Sequence, residues 1–401
     1  MGRLLLFFLL LIGGAAAASA QPASAPAPAL RPAFAWATFD HSGITAFGAS
    51  GMADRARGRL LTIEDPARIA SISKLVVAIG VMRLVEQGWL NLDRDVSIYL
   101  GWRLRNPAFP DRPITLRLLL SHRSSLKDDI EYWNIPLGAK LEQVLANPVA
   151  FDPAHAPGSY FRYANLGYPV IASVMEQATG ERFDALMARL VLRPLGLSAC
   201  FNWSRCGEGA IARAAVLYAP DGRVLRDDLG GQPPACPVLA PSGCDLASYR
   251  LGDNGALFSP QGGLRISVRD LTVVGRMLMA GGRHNGRRFL RQASVTALTT
   301  PLWTWDGTNG AIEDGFYCAY GLATQLLPVT QAGCRDDLFG GGRAMFGHAG
   351  DAYGVRSGLW IDPVRQAGIA FLSTTNGEDP PRGAHSAFRA IEEALAGRLS
   401  R

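Results

Sequence analysis

The tetrapeptide Ser71-Ile72-Ser73-Lys74, set at the head of the apolar run from Leu75 to Trp89, constrains this chain more than any other stretch. The pattern predicts a helix over Ser71 to Gln87, closed by Gly88. Positions i and i+3 share a helix face, so the Lys74 amine comes within hydrogen-bond reach of the Ser71 hydroxyl. A hydroxyl nucleophile one turn from an amine is the start of an acyl-transfer site. The chain has only three lysines, Lys74, Lys127 and Lys140, and arginine supplies the rest of its positive charge. Lysine is the cation whose pKa a pocket can lower into a useful range, whereas arginine stays protonated. Taken alone, the tetrapeptide is a weak signal, because short motifs recur by accident.

Residues 1–20 read as an export signal: Arg3 gives the positive end, Leu4 to Ile12 the short apolar core, and Ala18-Ser19-Ala20 a cleavage site before Gln21. A membrane anchor is the rival reading, but the core is short for a span of ~20 residues. Residues 21–32, rich in Pro, Ala and Ser, read as a flexible lead. The remaining residues, 33–401, suffice for one large domain with a sizeable core. Export predicts a periplasmic or secreted protein with no stable membrane span once the signal is removed, and a monomer is expected. All six cysteines lie in this mature part, and an even count in an exported chain favours disulfides. Fifteen pairings are possible. The simplest joins sequence neighbours: Cys200 with Cys206, Cys236 with Cys244, Cys318 with Cys334. The net charge of +6 comes from scattered arginines set beside acids, as in Arg94-Asp95, which reads as a solvated surface rather than a nucleic-acid face.

Ala33 to Phe39 and Gly43 to Gly51 read as a hairpin. Helices are predicted at Thr115 to Ser121, Leu141 to Asn147, Leu166 to Thr179 closed by Gly180, and Phe183 to Leu192; 200–248 reads as stapled loop. Ser267 opens another helix, with Asp270 three residues on as in a capping box. Strands follow at Phe316 to Leu327, Ala344 to Ala349, Val355 to Ile361 and Ala367 to Thr374, then an amphipathic helix from His385 to Leu399. The plan is α/β (α+β): a sheet lobe from 33–70 and about 250–401, and a helical lobe over about 71–249. A cleft between such lobes commonly takes a ligand.

Two further motifs carry chemistry. Tyr163-Ala164-Asn165 sits on a loop entering a helix. A phenol of pKa ~10 can accept the serine proton only if a cation such as Lys74 stabilises phenolate or passes the proton along. His348-Ala349-Gly350 lies on a strand before the turn at Asp351, where its glycine would let a substrate backbone come close.

In that order, Ser71-x-x-Lys74, Tyr163-Ala164-Asn165 and His348-Ala349-Gly350 resemble the three motifs of the serine β-lactamase and penicillin-recognising family, in particular its class C-like branch. Arg68-Ile69-Ala70, Leu84 to Gly88, Ile114 to His122 and Gly262-Gly263-Leu264 agree as well. The resemblance implies an antiparallel sheet flanked by helices, an all-helical lobe, and the serine in the cleft between them. It further implies attack by Ser71 on an amide, lactam or ester carbonyl of a small molecule or peptide, with Lys74 and Tyr163 handling the proton. Asn165 would hold Lys74 or a substrate amide, and His348 would stand where many relatives carry lysine. Together with Gly350 and Asp351 these form the expected substrate-binding set. Backbone N–H groups of Ser71 and Asp351 would face the oxyanion. No metal or organic cofactor is required.

Departures narrow the substrate. Ala349 stands where carboxylate-binding relatives often have a hydroxyl. Asp351 would repel an anionic substrate unless it pairs with Arg356. Ser125 replaces an expected glycine, and no clear helix precedes the first strand. β-Lactamase, D,D-peptidase, esterase and D-amino-acid amidase activities therefore compete. A penicillin-binding sensor that acylates without fast turnover, or a silent scaffold, is the alternative from another class. The third option is a Ser-His-Asp hydrolase using His348 or His122, although no Gly-x-Ser-x-Gly elbow is present. Trp133 is placed either on the cleft rim or in the core.

Overall fold

The computed structural model describes residues 30–225, 232–377 and 379–400; the expected export signal and residues 21–29 of the lead lie outside them. Eight strands form one antiparallel sheet. They are β1 (Ala33–Asp40), β2 (Ile44–Ser50), β6 (Trp303–Thr304), β7 (Ala319–Tyr320), β8 (Gln325–Leu327), β9 (Met345–Ala352), β10 (Val355–Asp362) and β11 (Ala367–Thr374), in spatial order β6-β7-β8-β9-β10-β11-β1-β2. Both ends of the chain thus meet at the β11–β1 pair, with Ala33 opposite Thr374. The first hairpin closes as its sequence predicts: the Asp40 carboxylate accepts the Ser42 N–H at 2.7 Å and the Gly43 N–H at 3.1 Å.

Side-chain alternation divides the sheet's two faces. Leu359, Ile361, Ala370 and Leu372 enter the large core with α1 (Ile72–Glu86) and α5 (Val268–Met279). Trp360, Ile369 and Phe371 point the other way, toward Phe388 and Leu395 of the C-terminal segment. Both faces are covered, which is why β10 and β11 read as near-continuous apolar runs. That second face is closed by α6 (Ala390–Ala396) from the far end of the chain.

Nearly every residue of α1 from Ile72 to Leu84 is buried. A helix apolar all round must lie at the centre, and α1 does so between the sheet and the helices α2 (Leu116–Leu120), α3 (Gly167–Thr179) and α4 (Phe183–Met187). Among the described residues no helix is long and apolar enough to cross a membrane. The cysteines pair as sequence neighbours, 200 with 206, 236 with 244 and 318 with 334.

Four expectations need correction. The strand read over Phe316 to Leu327 is two short strands, because a turn closed by Gly321 N–H to Thr324 C=O reverses the chain. The last helix begins at Ala390 rather than His385, because the Glu393 carboxylate accepts the N–H groups of Ala384, His385 and Ser386 and holds them in a loop. The capping box at α5 is half formed: Ser267 Oγ accepts the Asp270 N–H at 3.0 Å, but the Asp270 carboxylate accepts from Ser198 N–H instead. Within the segment read as loop, β4 (Cys200–Phe201) joins β3 (Ala67–Arg68) and β5 (Leu264–Ile266) in a small sheet, order β3-β5-β4. That small sheet anchors the chain just before Ser71, through Ile69 N–H to Leu264 C=O at 3.2 Å.

Candidate active site

Ser71 caps the N-terminal end of α1, and Ala70 before it is held at φ +48, a left-handed conformation that a non-glycine residue keeps only when its surroundings enforce it. The enforcement is visible. Ser73 Oγ donates to Ala70 C=O at 2.6 Å and accepts Leu264 N–H at 3.1 Å, so the turn that carries Ser71 is pinned to β5. One turn on, Lys74 is fully buried, and its Nζ reaches Ser71 Oγ at 2.9 Å, Asn165 Oδ1 at 2.7 Å and Gln261 C=O at 2.8 Å. Burial lowers its pKa from 10.5 to about 7, against the opposing pull of the Asp128 carboxylate. A neutral lysine has two N–H donors and one lone pair. Asn165 Oδ1 and the Gln261 carbonyl can only accept, so in that state the lone pair is left for the Ser71 O–H.

The Asn165 side chain is oriented by a residue that the sequence reading missed. Asp128 accepts from Asn165 Nδ2 and from the backbone N–H groups of Asn165 and Leu166, at 2.8, 2.8 and 2.9 Å. With its amide nitrogen committed to Asp128, Asn165 must turn its oxygen to Lys74. No motif spacing marks Asp128, and only the fold brings it there. Gln261 acts through its carbonyl, which no side-chain pattern could reveal.

Tyr163 completes the convergence. Lys74 Nζ lies 5.0 Å from its ring centroid, and its buried hydroxyl faces those of Ser71 and Tyr317 without an aligned hydrogen bond to either. Burial drives its pKa well above 10, so the phenol is neutral. The ring is clamped between Tyr317, stacked at 4.6 Å, and His122, at 4.2 Å. His122 itself is buried and accepts the Ala164 N–H through Nδ1 at 3.1 Å. Ser125, which takes an expected glycine's place, adopts φ +65, and its Oγ accepts from Asn106 Nδ2 at 3.0 Å. The turn keeps its left-handed geometry without glycine.

Of the third motif, Gly350 and Asp351 line the cleft, whereas His348 does not. His348 is buried behind the cleft wall, where Nε2 accepts from the Tyr320 hydroxyl at 2.7 Å and Nδ1 donates to Ala349 C=O. Burial and the nearby Lys74 push its pKa down to about 3, so it is neutral. Gly350 does line the cleft, but a Cβ there would meet Ile69 C=O and Ser357 Oγ, both at 2.3 Å. Its missing side chain lets β9 pack against the turn that carries Ser71. Asp351 is ion-paired with Arg356. Ala349 presents a methyl to the cleft, and Trp133 stands half exposed on the rim. The cleft has a volume of about 730 Å³ and runs from Ser71 to the start of α6.

The Beta-lactamase family model matches residues 25–394. Esterase EstB of Burkholderia gladioli is 33% identical over 170 residues, covering 38% of this chain and 42% of the esterase. The D-alanyl-D-alanine-carboxypeptidase/endopeptidase AmpH of Escherichia coli K12 is 29% identical over 144 residues, 34% of this chain and 36% of AmpH. The matched stretch thus spans less than half the length of either relative. The octameric penicillin-binding protein homologue from Pyrococcus abyssi has the same fold, with a TM-score of 0.65 at 20% identity over 92% of this chain and 74% of its own. The chain belongs to the Beta-lactamase family.

Proposed function

We propose that this protein is an exported serine hydrolase that cleaves an ester or amide through an acyl-enzyme on Ser71. The observation that carries the reading is the hydrogen-bond set of Lys74, in which two pure acceptors and the Ser71 hydroxyl surround an amine lowered to about 7. Neutral Lys74 takes the Ser71 proton as Oγ forms its bond to the carbonyl carbon. The resulting oxyanion faces the N–H groups of Ser71 and Asp351. Collapse breaks the bond to the leaving group, which takes a proton from the Tyr163 hydroxyl while Lys74 resupplies the phenol. Water then adds to the acyl carbon with the same groups in reverse roles, and the Ser71 ester breaks. The tyrosine acts as a neutral phenol that relays a proton, because burial disfavours phenolate. That assigns the base role to Lys74 alone.

Ala349 and the Asp351–Arg356 pair leave no hydroxyl and no uncommitted guanidinium at the third motif to grip a substrate carboxylate. This supports esters and amides over penicillins and D-Ala-D-Ala peptides. Three disulfides support export to an oxidising compartment. The test is a steady-state comparison of p-nitrophenyl acetate, nitrocefin and a D-Ala-D-Ala peptide on one preparation, with mass spectrometry of the acylated intermediate. Turnover of the ester, with transient mass gain on Ser71, is expected. A stable cephalosporoyl adduct from nitrocefin, with no turnover of any substrate, would establish the sensor instead.

A further inference from the structure

The cleft's charges pair off almost completely. Asp351 is bound to Arg356, Asp314 lies 3.3 Å from Arg382, and Arg389 lies 2.8 Å from Asp379. The Glu392 carboxylate accepts the Arg389 N–H at 2.9 Å, and Asp128 is committed to Asn165 and Leu166. One wall carboxylate remains. The Glu313 carboxylate has no hydrogen bond and no ion pair among the described residues, and the charge that acts on it, Asp128, has the same sign. Partial desolvation by the wall, and then that like charge, push its carboxyl up to about 7 even though the side chain stays open to the cleft. This is how an anion behaves when it lacks a cation.

The loop holding Glu313 is built to keep it in place. Glu313 and Asp314 are successive non-glycine residues at φ +46 and +58, and Gly315 packs so tightly that a Cβ would lie 2.4 Å from Gly333 C=O. The Cys318–Cys334 disulfide staples the same two segments. Three residues beyond the strained pair, Tyr317 stacks on Tyr163, which ties the loop to the tyrosine ring beside Lys74. Backbone strain of this kind persists only where surrounding structure over-determines it.

We infer that Glu313 is a specificity-determining residue that receives a substituted ammonium group of the substrate, so that this hydrolase prefers amine-bearing esters and amides over their deaminated isosteres. The inference rests on the hydrolase reading above. Anionic substrates are disfavoured by the same charge, in keeping with the missing hydroxyl at Ala349.

The test compares alanine p-nitroanilide, in either enantiomer, with propionyl p-nitroanilide at pH 8, using p-nitrophenyl acetate to verify hydrolase activity separately. Wild type is expected to favour the amine-bearing anilide about tenfold in kcat/KM, mainly through KM, and to lose that preference as ionic strength rises. In Glu313→Gln the ratio of the two anilides falls to near one, while Glu313→Asp retains part of it. Equal losses on both anilides in Glu313→Gln, or no preference in wild type that turns over the acetate, would overturn the inference. Thermal melts of both variants separate misfolding from loss of recognition, and the salt dependence of wild type tests the charge without any substitution. Failure of wild type on all three substrates would instead refute the hydrolase reading.

Discussion

Asp128 grips Asn165 twice at 2.8 Å, once through the backbone N–H and once through the side-chain amide, and so dictates which end of that amide meets Lys74. Asp128→Asn supplies one amide donor and loses one acceptor, which frees Asn165 to turn over and present N–H groups to the lysine. Misplacement on the ångström scale costs up to ~10²-fold in rate. The variant is expected to lose between about ten- and a hundredfold in kcat while remaining folded, as read by steady-state kinetics beside a thermal melt.

On the proposed mechanism, Lys74 sets the pH dependence. The reactive form is the neutral amine, so kcat/KM rises as pH increases through about 7 and then levels, because Tyr163 titrates well above 10 and adds no falling limb below that value. The same shift acts on stability. Between about 7 and 10.5 the unfolded chain holds a proton that the folded chain lacks, so this contribution opposes folding at neutral pH and fades as pH approaches 10.5. In Lys74→Arg, a cation that never deprotonates, the rising limb should vanish with a loss of about 10²- to 10⁴-fold. A kcat/KM profile from pH 5 to 10 decides, and a midpoint near 10 would contradict the neutral-amine mechanism.

Tyr163→Phe separates base from acid. If the phenol only hands a proton to the leaving group, an anilide, which must be protonated to leave, should lose about 10²- to 10⁴-fold. The p-nitrophenolate leaving group departs without a proton, so p-nitrophenyl acetate should lose less than about tenfold. Both substrates should keep the limb near pH 7, which belongs to Lys74. Equal losses on both would return the base role to the tyrosine.

The reach of the sequence ended where contacts became long-range or passed through backbone. Ser71 and Lys74 were legible because helical spacing is local, and Tyr163 because its motif fell in order behind them. Strands β9 to β11 announced themselves by composition, and neighbouring cysteines paired as the shortest loops allow. Asp128, His122 and Tyr317 carry no spacing signal toward Tyr163 or Asn165, and the third acceptor of Lys74 is a main-chain carbonyl. Two-residue strands such as β3 and β4 are too short to show a period. His348 was legible as a motif member but not as a buried one, since a strand of near-continuous apolar burial gives no hint of which face meets the cleft.

Gly350→Ala tests what that glycine is for. A single Cβ would press on Ile69 C=O and Ser357 Oγ, both part of the framework behind Ser71, and neither can yield as a flexible side-chain end would. Overpacking of this kind costs about 1–3 kcal/mol. The expected outcome is a lowered melting temperature together with a lower kcat on every substrate, whatever its size. Were the glycine an approach path for ligand alone, stability would hold and only KM would rise.

The Cys318–Cys334 bridge spans 16 residues and anchors the end of the wall loop, whose Tyr317, next to Cys318, stacks on Tyr163. Chain-entropy arguments assign a loop of this size about 3 kcal/mol of stabilisation, through restriction of the unfolded state. The double variant Cys318→Ser, Cys334→Ser should therefore melt earlier by a similar free energy. The native loop also relaxes, because the left-handed pair Glu313 and Asp314 loses the staple beside it. Tyr317 then no longer presses Tyr163 into place, so anilide turnover should fall more than p-nitrophenyl acetate turnover in the folded fraction. Calorimetry with parallel assays below the melting range distinguishes the two effects, since a purely entropic bridge would lower stability and leave the ratio of the two rates as it was.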